Sequence, residues 1–186
     1  MDGERRQFIR DAGLLLSVVV AGQAFTLSPR EARAAALPWQ QLNAAQAATL
    51  EALAELLVPG SKAAGVAQFV DKQLAAPPGE RLLMLKYLGV EADAMVNFYT
   101  AALDSADALA RRRHDQPWPK LSVARGNALL SAMAAEAGED WRGPPAGFFQ
   151  FVLRADACDV TYGTEDGFDH LGLPYSAHIP PPPGHW

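Results

Sequence analysis

The stretch NAAQAATLEALAELLVP, residues 43–59, determines which fold class the chain belongs to. Asn43 is a favourable helix N-cap, because its side-chain oxygen can accept from the first free backbone amides. Pro59-Gly60 ends the run, since proline cannot continue a helix. Between these limits, small and apolar side chains recur at helical spacing, at Ala47, Leu50, Leu53, Ala54 and Leu57. The stretch therefore predicts an amphipathic helix with one buried face.

Five more segments show the same spacing of apolar residues. They span 63–74, 80–88, 91–114 and 122–137, and a last one follows Gly143-Pro144-Pro145 and contains Phe148, Phe149, Phe151 and Val152. No stretch alternates with period two for long enough to predict a sheet. We therefore expect an all-α fold, a small irregular helical bundle of about five to six helices.

The chain changes character near its C-terminal end. From about residue 161 the sequence is turn-forming, and the four prolines at 180–183 exclude a helix there. This predicts an extended Pro-rich tail over residues 163–186. The tail carries too many large apolar side chains for a disordered segment, namely Phe168, Leu171, Leu173, Tyr175, Ile179 and Trp186. We expect it to lie against its own domain or against another subunit.

The first residues resemble a twin-arginine export signal. Arg5 and Arg6 are followed by Phe8 and Ile9, residues 12–27 carry no charge, and residues 32–36 offer small-x-small cleavage sites. The uncharged block is shorter and less apolar than the roughly 20 residues of a membrane span. The sequence predicts a leader over 1–34 and a single helical domain over 35–186. A cytoplasmic amphipathic helix, or a leader retained as an anchor, would be the alternatives.

Composition and charge narrow the function classes. The 186 residues fit one domain, and 49% hydrophobic content is enough for a sizeable core. A net charge of −5 gives no basic footprint, so we expect no nucleic-acid partner. The only cysteine is Cys158, which excludes an intrachain disulfide and a Cys-x-x-Cys-His haem site. A buried apolar role is favoured for this thiol over pairing with another chain.

Signatures of catalysis are missing from the sequence. It contains no Gly-x-Gly-x-x-Gly, no phosphate-binding loop and no Gly-x-Ser-x-Gly. His170, His178 and His185 are spaced by eight and seven residues, whereas helical zinc ligands favour three or four. An acidic cluster surrounds Cys158 and does not match a calcium loop; its members are Asp156, Asp159, Glu165, Asp166 and Asp169. We predict no catalytic, cofactor-binding or metal-ligating residue, with acid–base chemistry at the cluster as an alternative.

Aromatic residues outside the helical stripes are the better candidates for function. Three tryptophans stand beside proline or glycine in connectors or in the tail, and tryptophan is enriched where proteins anchor on one another. With two tail aromatics they form the predicted partner interface: Trp118, Trp141, Phe168, Tyr175 and Trp186. The alternative is that the tryptophans cap the core of their own domain.

Several motifs in this order resemble the gluconate 2-dehydrogenase subunit 3 family, the small gamma subunits of membrane-bound dehydrogenase complexes. After the leader come LNAAQAATLEALAELLVP at 42–59 and AGVAQFVD at 64–71. Gly147-Phe148-Phe149 follows, and then the turns Tyr162-Gly163 and Leu171-Gly172-Leu173-Pro174. The resemblance covers most of the chain after the leader.

The resemblance implies an accessory role. In such complexes a large FAD-dependent flavoprotein of the glucose–methanol–choline (GMC) type oxidises a sugar, sugar acid or alcohol. A multihaem cytochrome c passes the electrons to the membrane. The resemblance thus implies that FAD and haem c reside in partner subunits, and that this chain binds the flavoprotein and takes it through the twin-arginine translocase to the periplasm. A stand-alone periplasmic scaffold, or an enzyme using the Asp156, Asp159 and Asp169 region, would be the alternatives.

Overall fold

The predicted all-α class is confirmed. The computed structural model describes residues 16–20, 23–135 and 141–173, and this part of the chain contains nine α-helices, five of them with ten residues or more. The helices are α1 (Pro29–Ala34), α2 (Ala44–Leu57), α3 (Ser61–Ala64), α4 (Val66–Ala75), α5 (Met84–Tyr87), α6 (Ala92–His114), α7 (Val123–Ala135), α8 (Ala146–Tyr162) and α9 (Glu165–His170). Short 3₁₀ turns lie at Pro78–Glu80 and Trp118–Lys120.

A small β-hairpin precedes the helices and was not predicted. Strands β1 (Leu16–Val20) and β2 (Gln23–Leu27) pair antiparallel, with Leu16 opposite Leu27. The sequence LSVVV does not alternate, so the period-two criterion misses it, although consecutive valines favour extended backbone. The hairpin falls inside the uncharged stretch that the sequence assigns to the leader.

Helix α2 occupies the position that its sequence predicts and packs at the centre of the bundle. The Asn43 side chain accepts from the Gln46 amide at 2.9 Å, and the Gln46 side chain accepts from the Asn43 amide at 3.0 Å, which completes a capping box. Leu50, Leu53 and Ala54 on its inner face are fully buried. Because α3, α4, α6, α7 and α8 all contact α2, its apolar face organises the core.

Two predicted helices differ from the structure. The segment 63–74 is divided at Gly65, whose φ of +88° ends α3 and starts α4. A Cβ at this glycine would lie 2.1 Å from the carbonyl oxygen of Pro29, so Gly65 also lets α1 approach. The segment 80–88 keeps only one helical turn, α5, because Arg81 and Leu83 have extended backbone. The prediction of a full helix there is wrong.

The long helix α6 confirms the prediction for 91–114, and its aromatic residues build the core with α8. Phe98 and Tyr99 meet edge to face at 5.7 Å between ring centroids, and Tyr99 meets Phe149 at 6.0 Å. Phe148 adds a further edge contact to Phe98 at 5.6 Å. Such pairs contribute roughly 0.5–1.5 kcal/mol each beyond the area they bury.

Segment 29–34, which the sequence assigns to the leader, packs on the helical domain as α1. Ala32 is fully buried, and Arg33 pairs with Glu51 of α2 at 3.0 Å. Beyond α1, the backbone amides of residues 40, 41 and 42 donate hydrogen bonds to the side chain of Asp71 of α4. Within the described residues, no helix is both long and apolar enough to cross a bilayer. The boundary after residue 34 stays a prediction.

Candidate partner-binding surface

Trp118 does not belong to an exposed interface, and its prediction as a partner contact is corrected. Only 1% of this residue is exposed. The Asp107 carboxylate of α6 accepts from the Trp118 amide at 2.8 Å, and the 3₁₀ turn that carries Trp118 packs on both α2 and α6. The alternative, that the indole completes the core of its own domain, therefore holds for Trp118.

Of the other four predicted contacts, two are half-buried and two lie outside the described residues. Trp141 packs against the core and donates its indole N–H to the carbonyl of Pro144, so only part of its ring is free. Phe168 is half-buried on α9. Tyr175 and Trp186 lie outside the described residues, and these contacts stay predictions. The same holds for the signal residues Arg5, Arg6, Phe8 and Ile9.

The start of the predicted extended tail is helical instead. Thr164 caps α9 by accepting from the Gly167 amide at 3.1 Å, and α9 packs on α8. Residues 165–170 therefore belong to the bundle, and the prediction of an extended chain from residue 163 is wrong for this turn and a half. The prediction missed this because Gly167 lowers helix propensity, while the Thr164 cap compensates for it.

A group of exposed apolar residues on the segment 77–91, which we call the α5 loop, was not predicted. Leu82 is 42% exposed, Tyr87 67% and Leu88 42%. Single exposed apolar residues are ordinary, but three within seven positions form a candidate contact site. The sequence does not indicate this site, because a helix over 80–88 would turn some of these side chains inward.

Buried polar side chains hold the α5 loop in place. Gln73 of α4 accepts from the Leu82 amide through its side-chain oxygen at 2.6 Å. Arg81 is only 8% exposed, donates from Nε to the carbonyl of Ala76 at 3.0 Å, and donates from its guanidinium to the carbonyl of Ala92. These bonds satisfy the Leu82 amide and attach Arg81 to the backbone on either side of the loop. The loop is therefore a fixed platform for Leu82, Tyr87 and Leu88.

Asp156 of α8 supplies the third attachment of the α5 loop. Its side chain is fully buried, accepts from the Met84 amide at 2.7 Å, and accepts from the hydroxyl of Tyr99 on α6. Burial, and to a smaller extent the charge of Asp159, raise the pKa of Asp156 to about 7, although both hydrogen bonds lower it. Burial, with the nearby Asp156, also raises the pKa of Tyr99 well above its usual range. One carboxyl group thus joins α5, α6 and α8.

A second group of exposed apolar residues lies on α8 and just beyond α9. Phe151, Leu171 and Leu173 are each 51% exposed. Helix α8 contacts both α5 and α9, so it is the common support of the two groups. The α5 loop is therefore one candidate partner-binding surface, and Phe151, Leu171 and Leu173 form a second candidate contact region.

Most of the chain matches one known protein family. A family model described as gluconate 2-dehydrogenase subunit 3 matches residues 44–180. The chain belongs to this family. No curated protein and no solved structure gives a significant match. The matched region begins at α2 and includes both groups of exposed apolar residues, whereas the hairpin and α1 precede it.

The acidic region of this subunit 3 family member does not resemble a catalytic pair. Asp156 is enclosed, whereas Asp159 and Asp169 are exposed to solvent. Cys158 is free and half-buried against the core, and burial with the charge of Asp159 raises the pKa of its thiol. Among the residues that the structure describes, no group of three His, Cys, Asp or Glu is arranged to hold a metal ion. The hydrogen bonds of Asp156 give it a structural role.

Proposed function

We propose that the chain is the non-catalytic small subunit of a periplasmic FAD-dependent dehydrogenase complex whose GMC-type flavoprotein oxidises a sugar, sugar acid or alcohol. The family match over residues 44–180 carries this proposal. FAD is bound by the large flavoprotein and haem c by a cytochrome subunit. The complex is associated with the inner membrane through its partners.

The task of the small subunit is to bind and stabilise the flavoprotein. The α5 loop supports this role because it presents large apolar side chains on a backbone that Gln73, Arg81 and Asp156 already fix. A surface that is ordered before binding loses little conformational entropy on association. The exposed fractions of Tyr87 and Leu88 leave apolar area that a partner can cover.

Export is the second part of the proposed role. The twin-arginine route carries folded proteins, so a bound flavoprotein that lacks its own leader can cross with this chain. The signal residues Arg5 and Arg6, followed by Phe8 and Ile9, support this part of the proposal.

Recovery of the flavoprotein with the tagged chain tests the binding role. We expect a GMC-type flavoprotein, identified by its mass and its flavin absorbance, to co-elute with the wild-type chain during size exclusion. Tyr87→Asp combined with Leu88→Asp should reduce the recovered flavin about tenfold or more, because a charge at an apolar contact must be desolvated on binding. The fold should be retained, since Tyr87 is 67% and Leu88 42% exposed, and circular dichroism of the variant checks this.

Ala45→Asp serves as the control for added charge. It places one carboxylate on an exposed position in the first turn of α2, away from the α5 loop, where a negative charge suits the helix dipole. We expect wild-type recovery from this variant. A wild-type chain that elutes as a monomer without flavin would contradict the proposed function and favour a stand-alone scaffold. Normal recovery with Tyr87→Asp/Leu88→Asp would instead exclude the α5 loop as the contact.

A further inference from the structure

Positive charge is concentrated in one part of this acidic chain. Residues 111–135 carry five Lys or Arg against a single Asp, a net charge of +4, whereas the remaining residues carry a net charge of −9. These positive residues are Arg111, Arg112, Arg113, Lys120 and Arg125. They belong to the end of α6, the connector after it and the start of α7. A local excess of positive charge in an otherwise acidic chain is typical of a surface that binds a negatively charged partner.

An open groove of about 290 Å³ lies between α6 and α7 in the same region. Its apolar walls are formed by Leu109, Ala128, Leu129 and Ala132, and Arg113 and His114 stand beside them. Arg125 lies three residues before Ala128 and therefore on the same side of α7. The volume is at the small end of ligand pockets, and it suits one large apolar side chain better than a cofactor.

The helix dipole explains only part of this charge. Cations at the end of α6 are favoured there, and Arg111 also pairs with Asp107 at 2.8 Å. Arg125, however, lies in the first turn of α7, where a positive charge opposes the dipole. In the described part of the chain, no acidic side chain forms an ion pair with Arg113, Lys120 or Arg125. These three cations are therefore available to an external anion.

We propose that the α6–α7 groove binds an acidic segment of the partner flavoprotein, with one apolar side chain of that segment inserted between Leu109 and Ala128. This inference rests on the proposed function and adds a second contact region to it. The carboxylates of the segment would pair with Arg113 and Arg125 on the two sides of the groove. Charge complementarity of this kind chiefly raises the association rate and makes it sensitive to salt.

An anionic lipid surface fits these observations less well. Helices that lie on membranes insert large apolar side chains below their cationic face. On α7 the large apolar residues Leu129, Leu130 and Met133 are buried inside the domain, and only Val123 is exposed. The remaining net charge of −9 would also be repelled by an anionic bilayer, whereas a protein partner needs to be acidic only locally.

Charge reversal in the complete complex tests the groove. We expect recovery with the wild-type chain to fall as salt is raised; Arg113→Glu/Arg125→Glu should lower recovery about tenfold at low salt and abolish that dependence. Ala128→Trp, at an exposed position, should fill the groove and lower recovery several-fold at every salt concentration. The matched control Lys72→Glu/Arg142→Glu reverses two cations outside the groove, one of them also in the last turn of a helix. It should retain wild-type recovery.

The outcomes separate this inference from the function on which it rests. If the wild-type chain recovers no flavoprotein, the proposed function fails. If it does, and both groove variants recover as much flavoprotein as the control, the groove proposal is overturned while the function stands. Equal losses of flavoprotein recovery in Arg113→Glu/Arg125→Glu and in the control would also overturn it, because the change in net charge alone would then explain the loss. Binding of the free chain to phosphatidylglycerol vesicles that Arg113→Glu/Arg125→Glu removes, with flavoprotein recovery intact, would assign the groove to lipid instead.

Discussion

Asp156→Asn is expected to remove most of the pH dependence of stability between about pH 4 and pH 7. In the wild-type chain, burial raises the pKa of Asp156 from 3.8 to about 7. The folded state therefore binds a proton over this interval that the unfolded state has lost. The contribution of protonated Asp156 to the free energy of unfolding is fully present below pH 4. It declines as the pH rises through 7, because the folded chain must then keep a charged carboxylate in its interior. Three pKa units correspond to a contribution on the order of 4 kcal/mol.

The asparagine side chain can keep both contacts without carrying a charge. Its carbonyl oxygen can accept from the Met84 amide as the carboxylate does, and its amide group can donate to the Tyr99 hydroxyl oxygen. We therefore expect Asp156→Asn to equal the wild-type chain in acid and to be more stable above pH 7. Urea unfolding of the purified chain from pH 4.5 to pH 8.5, followed by circular dichroism, measures both effects.

Two further variants make this experiment specific. Asp156→Ala should lower stability by about 2–4 kcal/mol at acid pH, because it leaves a small cavity and two buried donors without an acceptor. Asp115→Asn changes a carboxyl group that is exposed at the end of α6, and we expect it to keep the wild-type pH profile. An equally steep pH profile in Asp156→Asn would show that another group carries the dependence.

The same residue shows how far the sequence could predict this molecule. Local pattern predicts α2, α6 and α8 because their apolar residues repeat within one helix, and in α2 the Asn43 cap also marks the first turn. The role of Asp156 depends instead on residues 72 and 57 positions away in the chain, Met84 and Tyr99, whose approach only the packed fold reveals. The sequence shows Asp156 only as a member of an acidic cluster, whereas the structure shows a buried connection between three helices.

The candidate surface was hard to predict for a related reason. Segment 80–88 has helical composition, but Gln73 accepts from the Leu82 amide and the Arg81 side chain donates to the carbonyls of Ala76 and Ala92. The backbone at Arg81 and Leu83 is extended, and Leu82, Tyr87 and Leu88 stay exposed. Trp118 shows the opposite error: its neighbouring prolines indicate a connector, yet its connector returns to α2 and buries the indole. A neighbouring proline restricts the local backbone but does not determine whether the tryptophan side chain is buried. Interface predictions from aromatic residues thus need the burial of each residue.

Arg5→Lys/Arg6→Lys is expected to reduce periplasmic activity of the partner dehydrogenase about tenfold or more, since lysine keeps the charge but not the planar guanidinium that a receptor can recognise. The double substitution changes neither net charge nor apolar content, so an amphipathic helix of unspecific function would tolerate it. Arg10→Lys is the matched control, because lysine is common at that place in twin-arginine signals, and it should keep full activity. Activity is measured with an artificial electron acceptor in separated periplasmic and cytoplasmic fractions.

Combining this variant with the α5-loop variant separates the two parts of the proposed function. With Arg5→Lys/Arg6→Lys, the flavoprotein should remain bound to the small subunit and accumulate in the cytoplasm, because binding does not involve the signal. With Tyr87→Asp/Leu88→Asp, the small subunit alone should reach the periplasm while the flavoprotein stays behind. Equal periplasmic activity in the wild-type chain and both variants would contradict co-export by this chain. The distribution of two proteins between two compartments thus reports separately on the export signal and on the binding surface.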